Sequence, residues 1–195
     1  MIVPVVFRKE CQIVMVLINN LIITKMDNSI LYKEKQRFNQ WWIWLIIIVV
    51  NSVLIYGVFQ QVFNGKPFGD QPMSNVSLLI INITFFILSL LFITFNLETI
   101  IKADGIYIRF FPIHRKFKFI SWTSISKVYL RTYSPLKEFG GWGFRYSLTG
   151  KGKAYNVSGN NGLQLEFEIG KKLLIGTKNP EELLNVLKSL NKVKE

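Results

Sequence analysis

The chain has 195 residues, room for one globular domain of ordinary size beside a membrane segment but not for two full domains. Half of the residues are hydrophobic and only 18% are charged, with the apolar ones gathered before residue 98, a clustering that points to lipid contact. A single cysteine, Cys11, and a single histidine, His114, exclude an intramolecular disulfide and a Cys/His zinc site, so a metal site would need carboxylates; no metal-ligand arrangement is found and no cofactor is expected, while the formal charge of +12 directs attention to anionic partners.

Residues 1–25 hold a short apolar run from Ile13 to Ile18, then Asn19-Asn20 and Leu21-Ile22-Ile23. The run is too short to span a bilayer, and no small-x-small cleavage site follows its basic start at Arg8 and Lys9. Met26-Asp27-Asn28-Ser29 opens a polar stretch that reads as a natural N-terminus, so residues 1–40 are expected to be a lead-in with Met26 as the true start.

Residues 41–63 are apolar and uncharged, long enough at ~1.5 Å per residue to cross a hydrocarbon core of ~30 Å. Trp41, Trp42 and Trp44 crowd the beginning, where indoles favour the headgroup level, and Lys33, Lys35 and Arg37 just before them mark the cytoplasmic side. Residues 77–96 form a second uncharged span, and the connection between the two carries only Lys66 and Asp70. The pair predicts a transmembrane helical hairpin over 41–97 in the cell membrane, both termini cytoplasmic. Asn51 and Ser52 in the first span and Ser89 in the second lie at similar depth and are expected to pair the helices by hydrogen bonding, worth roughly 0.6–2 kcal/mol. The absence of Asp, Glu, Lys and Arg from both spans argues against a transporter or proton relay.

From Glu98 onward the pattern changes to the period of half-buried strands. Asp104-Gly105 is a hairpin signal, Ile106, Ile108 and Phe110 alternate with Tyr107, Arg109 and Phe111, and Phe117 and Phe119 alternate with Lys116 and Lys118. Similar alternation around Val128, Tyr146 and Leu165, and a run over 172–177, bring the count to six or seven short strands. Asn179, Pro180, Glu181 and Glu182 then start a helix with an apolar stripe of Leu183, Val186, Leu187 and Leu190. The expected fold class is an α+β membrane protein: a two-helix hairpin followed, over 98–195, by an antiparallel β-barrel or sandwich of about seven strands and one C-terminal amphipathic helix.

Ile120-Ser121-Trp122-Thr123-Ser124-Ile125-Ser126-Lys127-Val128 resembles the Trp-x-x-Ile-x-x-Val segment of bacterial PH-like domain membrane proteins, which are anchored by two transmembrane helices. Gly140-Gly141-Trp142-Gly143-Phe144, Gly152-Lys153-Ala154-Tyr155, Gly162-Leu163-Gln164-Leu165 and Ile175-Gly176-Thr177-Lys178-Asn179-Pro180 resemble the later part of uncharacterised relatives, and the likeness covers residues 41–190. Where such domains often carry an acidic residue this chain has Ser124. The resemblance implies a PH-like fold and topology and brings no activity, substrate or catalytic residue with it.

Residues 98–195 hold 17 Lys+Arg against 8 Asp+Glu. Arg109, Lys116 and Lys118 are expected on one basic outer face, with Arg115 and His114 at the adjoining turn; beside a membrane, anionic lipid headgroups are the nearer partner and nucleic acid is not expected. Trp142, set among three glycines, reads first as a core residue of a bent strand and second as a membrane or partner contact. Glu166 and Glu168 share a strand face and read as its solvent side, and Gly150-Lys151-Gly152-Lys153 reads as a hairpin turn since it lacks phosphate-loop spacing. No catalytic constellation is present. The expected role is a noncatalytic membrane-anchored module that meets a protein partner or the anionic lipid surface at the cytoplasmic leaflet; the alternative is an accessory subunit that contacts a transporter, channel or membrane enzyme through its hairpin.

Overall fold

The computed structural model describes residues 29–147 and 150–192. Its first element lies ahead of the apolar segments: strand β1, Tyr32–Arg37, turns Tyr32, Glu34 and Gln36 inward and Lys33, Lys35 and Arg37 outward. Helix α1, Trp41–Val58, follows and runs on through one π turn over Phe59–Phe63. Helix α2, Asn75–Ile93, starts where Ser74 Oγ accepts from the Ser77 amide. Both apolar helices are long and apolar enough to cross a membrane. Their outer surfaces are bare, with only Gly57 and Leu78 buried.

Strands β2 (Asn96–Ile101), β3 (Gly105–Phe111) and β4 (Lys118–Ser121) complete a four-stranded antiparallel sheet of order β1-β2-β3-β4. A second sheet contains β5 (Ile125–Thr132), β6 (Gly143–Tyr146), β7 (Lys153–Asn156), β8 (Asn161–Phe167) and β9 (Lys172–Gly176), in the order β5-β8-β9-β7-β6. A one-turn helix α3, Pro135–Phe139, links β5 to β6, and α4, Pro180–Ser189, ends the described chain.

Several expectations are corrected. The architecture is two sheets of four and five strands with no closed barrel, and β7 and β9 pair in parallel because the β8–β9 hairpin wedges between β5 and β7. The second apolar helix ends at Ile93, since Asn96 is already paired with Phe111 in the sheet. The lead-in of residues 1–40 contains a strand, so the β domain does not begin at 98. β1 pairs with β2 along its whole length, from Tyr32 opposite Ile101 to Arg37 opposite Asn96. Both apolar helices are therefore an excursion between two neighbouring strands of one sheet. The proposed Met26 start lies outside the described residues.

One apolar cluster joins the layers: Leu97, Ile101, Ile106, Ile108 and Phe110 from the first sheet meet Val128, Leu163, Leu165 and Ile175 from the second, with Leu183 and Leu187 of α4. Pro180 at the first turn and Glu181 and Glu182 at its positive end suit the start of α4, but the Asn179 side chain makes no cap; its carbonyl accepts from the Leu183 amide instead. The cluster extends into the base of the helices through rings. Phe110 lies 6.0 Å from Phe95, Phe95 5.9 Å from Phe92, and Phe92 packs on Phe38 at 5.2 Å and on Trp44 at 6.0 Å. The Trp44 indole donates to the Phe38 carbonyl at 3.1 Å, which ties the turn between β1 and α1.

Candidate functional site

Gly105 lets β4 lie close against β3. It stands opposite Ser121, and a Cβ there would collide with the Ile120 carbonyl, so only glycine lets β4 lie this close. The register sets Lys118 against Ile108 and Phe119 against Tyr107. Ile108 points into the core, so Lys118 lies on the inner face, while Phe119 lies outside against Tyr107 at 4.9 Å. The expectation of one outer face carrying Arg109 and Lys118 is thereby overturned: the two side chains leave opposite faces of the sheet.

Arg109 is not a free cation. Its Nη2 donates to Glu98 Oε2 at 2.6 Å, its guanidinium lies 4.5 Å over the Phe117 ring, and Lys33 Nζ approaches the other Glu98 oxygen at 3.7 Å. Arg115 and Lys116 are exposed on the turn after β3, as is the cationic row Lys33, Lys35 and Arg37 on β1, which the lead-in reading had set outside the domain.

Because β4 has only four residues, it leaves the space between the sheets open beyond its edge. The opening is a cleft of about 710 Å³. Ile108, Ile120, Tyr155, Phe167 and Leu173 give it an apolar floor; Lys118, Lys153, Lys171 and Lys172 stand around it, all exposed. No carboxylate lines the cleft among the described residues. Lys172 Nζ reaches Glu166 at 3.2 Å just outside it, whereas Lys118 Nζ donates to the Tyr155 hydroxyl at 3.3 Å and Lys153 lies 5.0 Å over the Tyr146 ring. Gly152 closes one side at a φ of +84°, where a Cβ would strike the Lys172 carbonyl.

Tyr155 is the hinge of this site. Its ring stacks on Phe144 at 4.9 Å, touches Phe110 at 6.3 Å and receives the edge of His114 at 5.5 Å. Burial pushes its phenol up, against the opposing pull of Lys153, so the hydroxyl keeps its proton near neutral pH. Burial and, second, the Lys118 charge hold the His114 imidazole below its ordinary range.

Trp142 belongs neither to the core nor to solvent alone. Half-buried, it donates from Nε1 to the Gly159 carbonyl at 3.2 Å and sets its ring 6.3 Å from Trp42 at the start of α1. Between the apolar helices, Asn51 Nδ2 donates to Ser89 Oγ at 2.9 Å and to the Ile47 carbonyl at 2.7 Å; Ser52 is exposed and takes no part.

The sequence reading missed Glu34. This carboxylate is only 8% exposed and accepts from Tyr32 at 2.7 Å, from Thr177 Oγ1 at 2.8 Å and from the Lys178 amide at 2.8 Å. Gln36 Nε2 adds a bond to the Gly176 carbonyl at 2.7 Å. The available signal was the strict alternation of Tyr32-Lys33-Glu34-Lys35-Gln36-Arg37, with polar rather than apolar residues on the inner side.

These elements define an α+β protein with two long apolar helices and two β-sheets, open at a lysine-edged cleft. The chain belongs to a family of unknown function, DUF6141, whose model matches residues 23–192. No curated protein matches it. Among the described residues no group of three or more His, Cys, Asp or Glu converges as metal ligands.

Proposed function

We propose that the chain is a two-span protein of the cell membrane whose β domain is a noncatalytic, PH-like binding module held against the cytoplasmic leaflet. The observation that carries this reading is the pairing of β1 with β2 on either side of the two apolar helices. Two chain crossings fix the domain to the helix pair, and the rings of Trp42 and Trp142 add a side contact. A domain so attached has little freedom to tilt away. Lys35 and Arg37 then sit nearest the tryptophan-rich start of α1, with Lys33, shared with Glu98, further up the strand, and near an anionic leaflet each of the two is worth about 1 kcal/mol. The PH-like likeness is supported by two packed sheets whose core is covered by a C-terminal helix.

The test is substituted-cysteine labelling in a Cys11→Ser background. Cysteines placed at Gly69, between the apolar helices, and at Lys171 should label from opposite sides of sealed inside-out vesicles, Lys171 from the cytoplasmic side. Labelling of both positions from one side, or release of the chain by alkaline carbonate, sinks the reading.

A further inference from the structure

The mouth between the sheets combines two demands that solvent alone does not satisfy. Its floor is apolar, and Ile169, 74% exposed, extends that surface to the rim. A groove of this size, within the ~300–1,000 Å³ of ordinary small-molecule sites, is large enough to take a ligand out of water. Around the floor stand four lysines, and only Lys172 has a carboxylate within ion-pair distance among the described residues. Lys118 leans on a phenol and Lys153 on a ring face, contacts that orient an ammonium without neutralising it. The missing counter-charge and the uncovered floor lie in the same hollow.

We infer that the cleft binds a single-chain anionic amphiphile of the fatty-acid type taken from the bilayer. The apolar chain covers Ile108, Ile120, Phe167 and Leu173, and the anionic head is held by Lys118, Lys153 and Lys171. Tyr155, protonated and already bonded to Lys118, stands where the chain meets the head and supplies an O–H donor to it. A nucleotide would find lysines for its phosphates but, on the floor, almost no polar side chains for its base and ribose. An acidic peptide would leave the floor in contact with water. The inference deepens the membrane-module reading, which tethers the domain that holds the cleft to the bilayer that supplies such ligands.

The experiment uses the full chain in phosphatidylcholine nanodiscs, with empty discs as the blank, and follows displacement of a fluorescent long-chain carboxylate by oleate. One saturable site per chain is expected, with oleyl alcohol and inorganic phosphate each at least about tenfold weaker than oleate. The paired substitution K118Q and K153Q should weaken oleate about tenfold or more, and I169D, at an exposed rim position, should weaken it without loss of the circular dichroism spectrum. Four outcomes overturn the inference: no binding above empty discs, equal affinity for oleyl alcohol, equal competition by phosphate or oligoglutamate, or indifference to all three substitutions in folded protein. Failure to enter discs refutes the membrane reading instead, and the same titration in amphipol then decides the cleft by itself.

Discussion

Arg37 and Asn96 face each other as the last and first residues of paired strands, although both apolar helices lie between them in the sequence. That juxtaposition changes what a minimal version of this protein must contain. β2 carries Leu97 and Ile101 into the core on one side and Glu98 towards Arg109 on the other, and without β1 its backbone polar groups lose their ladder partners.

A chain beginning at residue 98 is therefore expected to aggregate or to give a poorly dispersed amide spectrum. A version in which residues 38–95 are replaced by a two-residue Asn-Gly turn joining Arg37 to Asn96 should fold as a soluble domain with a single cooperative melt. If the shorter chain melts equally cooperatively, β1 is dispensable.

Glu34 holds β1 to the segment after β9 through two hydrogen bonds, from Thr177 Oγ1 and the Lys178 amide, and a third from Tyr32 braces it within β1. Glu34→Ala takes the acceptor from the part-buried Lys178 amide and leaves the Tyr32 and Thr177 hydroxyls only each other, and a loss of about 2 kcal/mol in unfolding free energy is expected. Lys35→Ala, on the exposed side of the same strand, should cost less than about 0.5 kcal/mol. Urea titration of the turn-joined domain measures both.

Between the apolar helices, the Asn51–Ser89 bond predicts coupling rather than two independent losses. Asn51→Leu and Ser89→Ala should each weaken helix association by about 1 kcal/mol, while the double variant loses little more than the first. A double-mutant cycle read by thermal inactivation in one detergent decides this, and strict additivity would rule the bond out as a contributor.

His114 gives the site a pH signature. Its imidazole is held below the ordinary 6.5, so on acidification the unfolded chain takes up a proton before the folded one does. Stability consequently rises with pH through the window between the lowered midpoint and 6.5, falls as the medium is acidified through it, and changes no further on this account below both values. Imidazole resonances in the turn-joined domain should titrate below 6.5, and Lys118→Gln should move the midpoint upward by removing one of the two causes.

Legibility in the sequence followed where apolarity marked position. α1 and α2 are uncharged and nearly all apolar, α4 announces itself by Pro180 and its acidic first turn, and Asp104-Gly105 ends in the β2–β3 hairpin. Glu166 meets Lys172 across the β8–β9 ladder, as alternation on a strand suggests. The failures share one cause. β1 buries Glu34 and Gln36, and β4 turns Phe119 outward and Lys118 inward, so the usual equation of apolar with inside fails at both. The β4 orientation depends on its register against β3 and the parallel β7–β9 pair on a strand inserted later in the chain, and neither leaves a periodic trace. The cleft was illegible because its lysines come from β4, β7 and the β8–β9 hairpin and converge only after both sheets are assembled.

The separation of β1 from β2 by the apolar helices also bears on how the chain is made. β1 leaves the ribosome first and has no partner until both helices have emerged and β2 follows. In a membrane protein, a nascent chain that inserts one helix and strands the other puts β1 and β2 on opposite sides of the bilayer, where the four-stranded sheet cannot close. On the proposed two-span reading, closing the sheet is thus coupled to insertion: β2 finds its β1 partner only when the chain returns to the side it left, and until then its edge stays open.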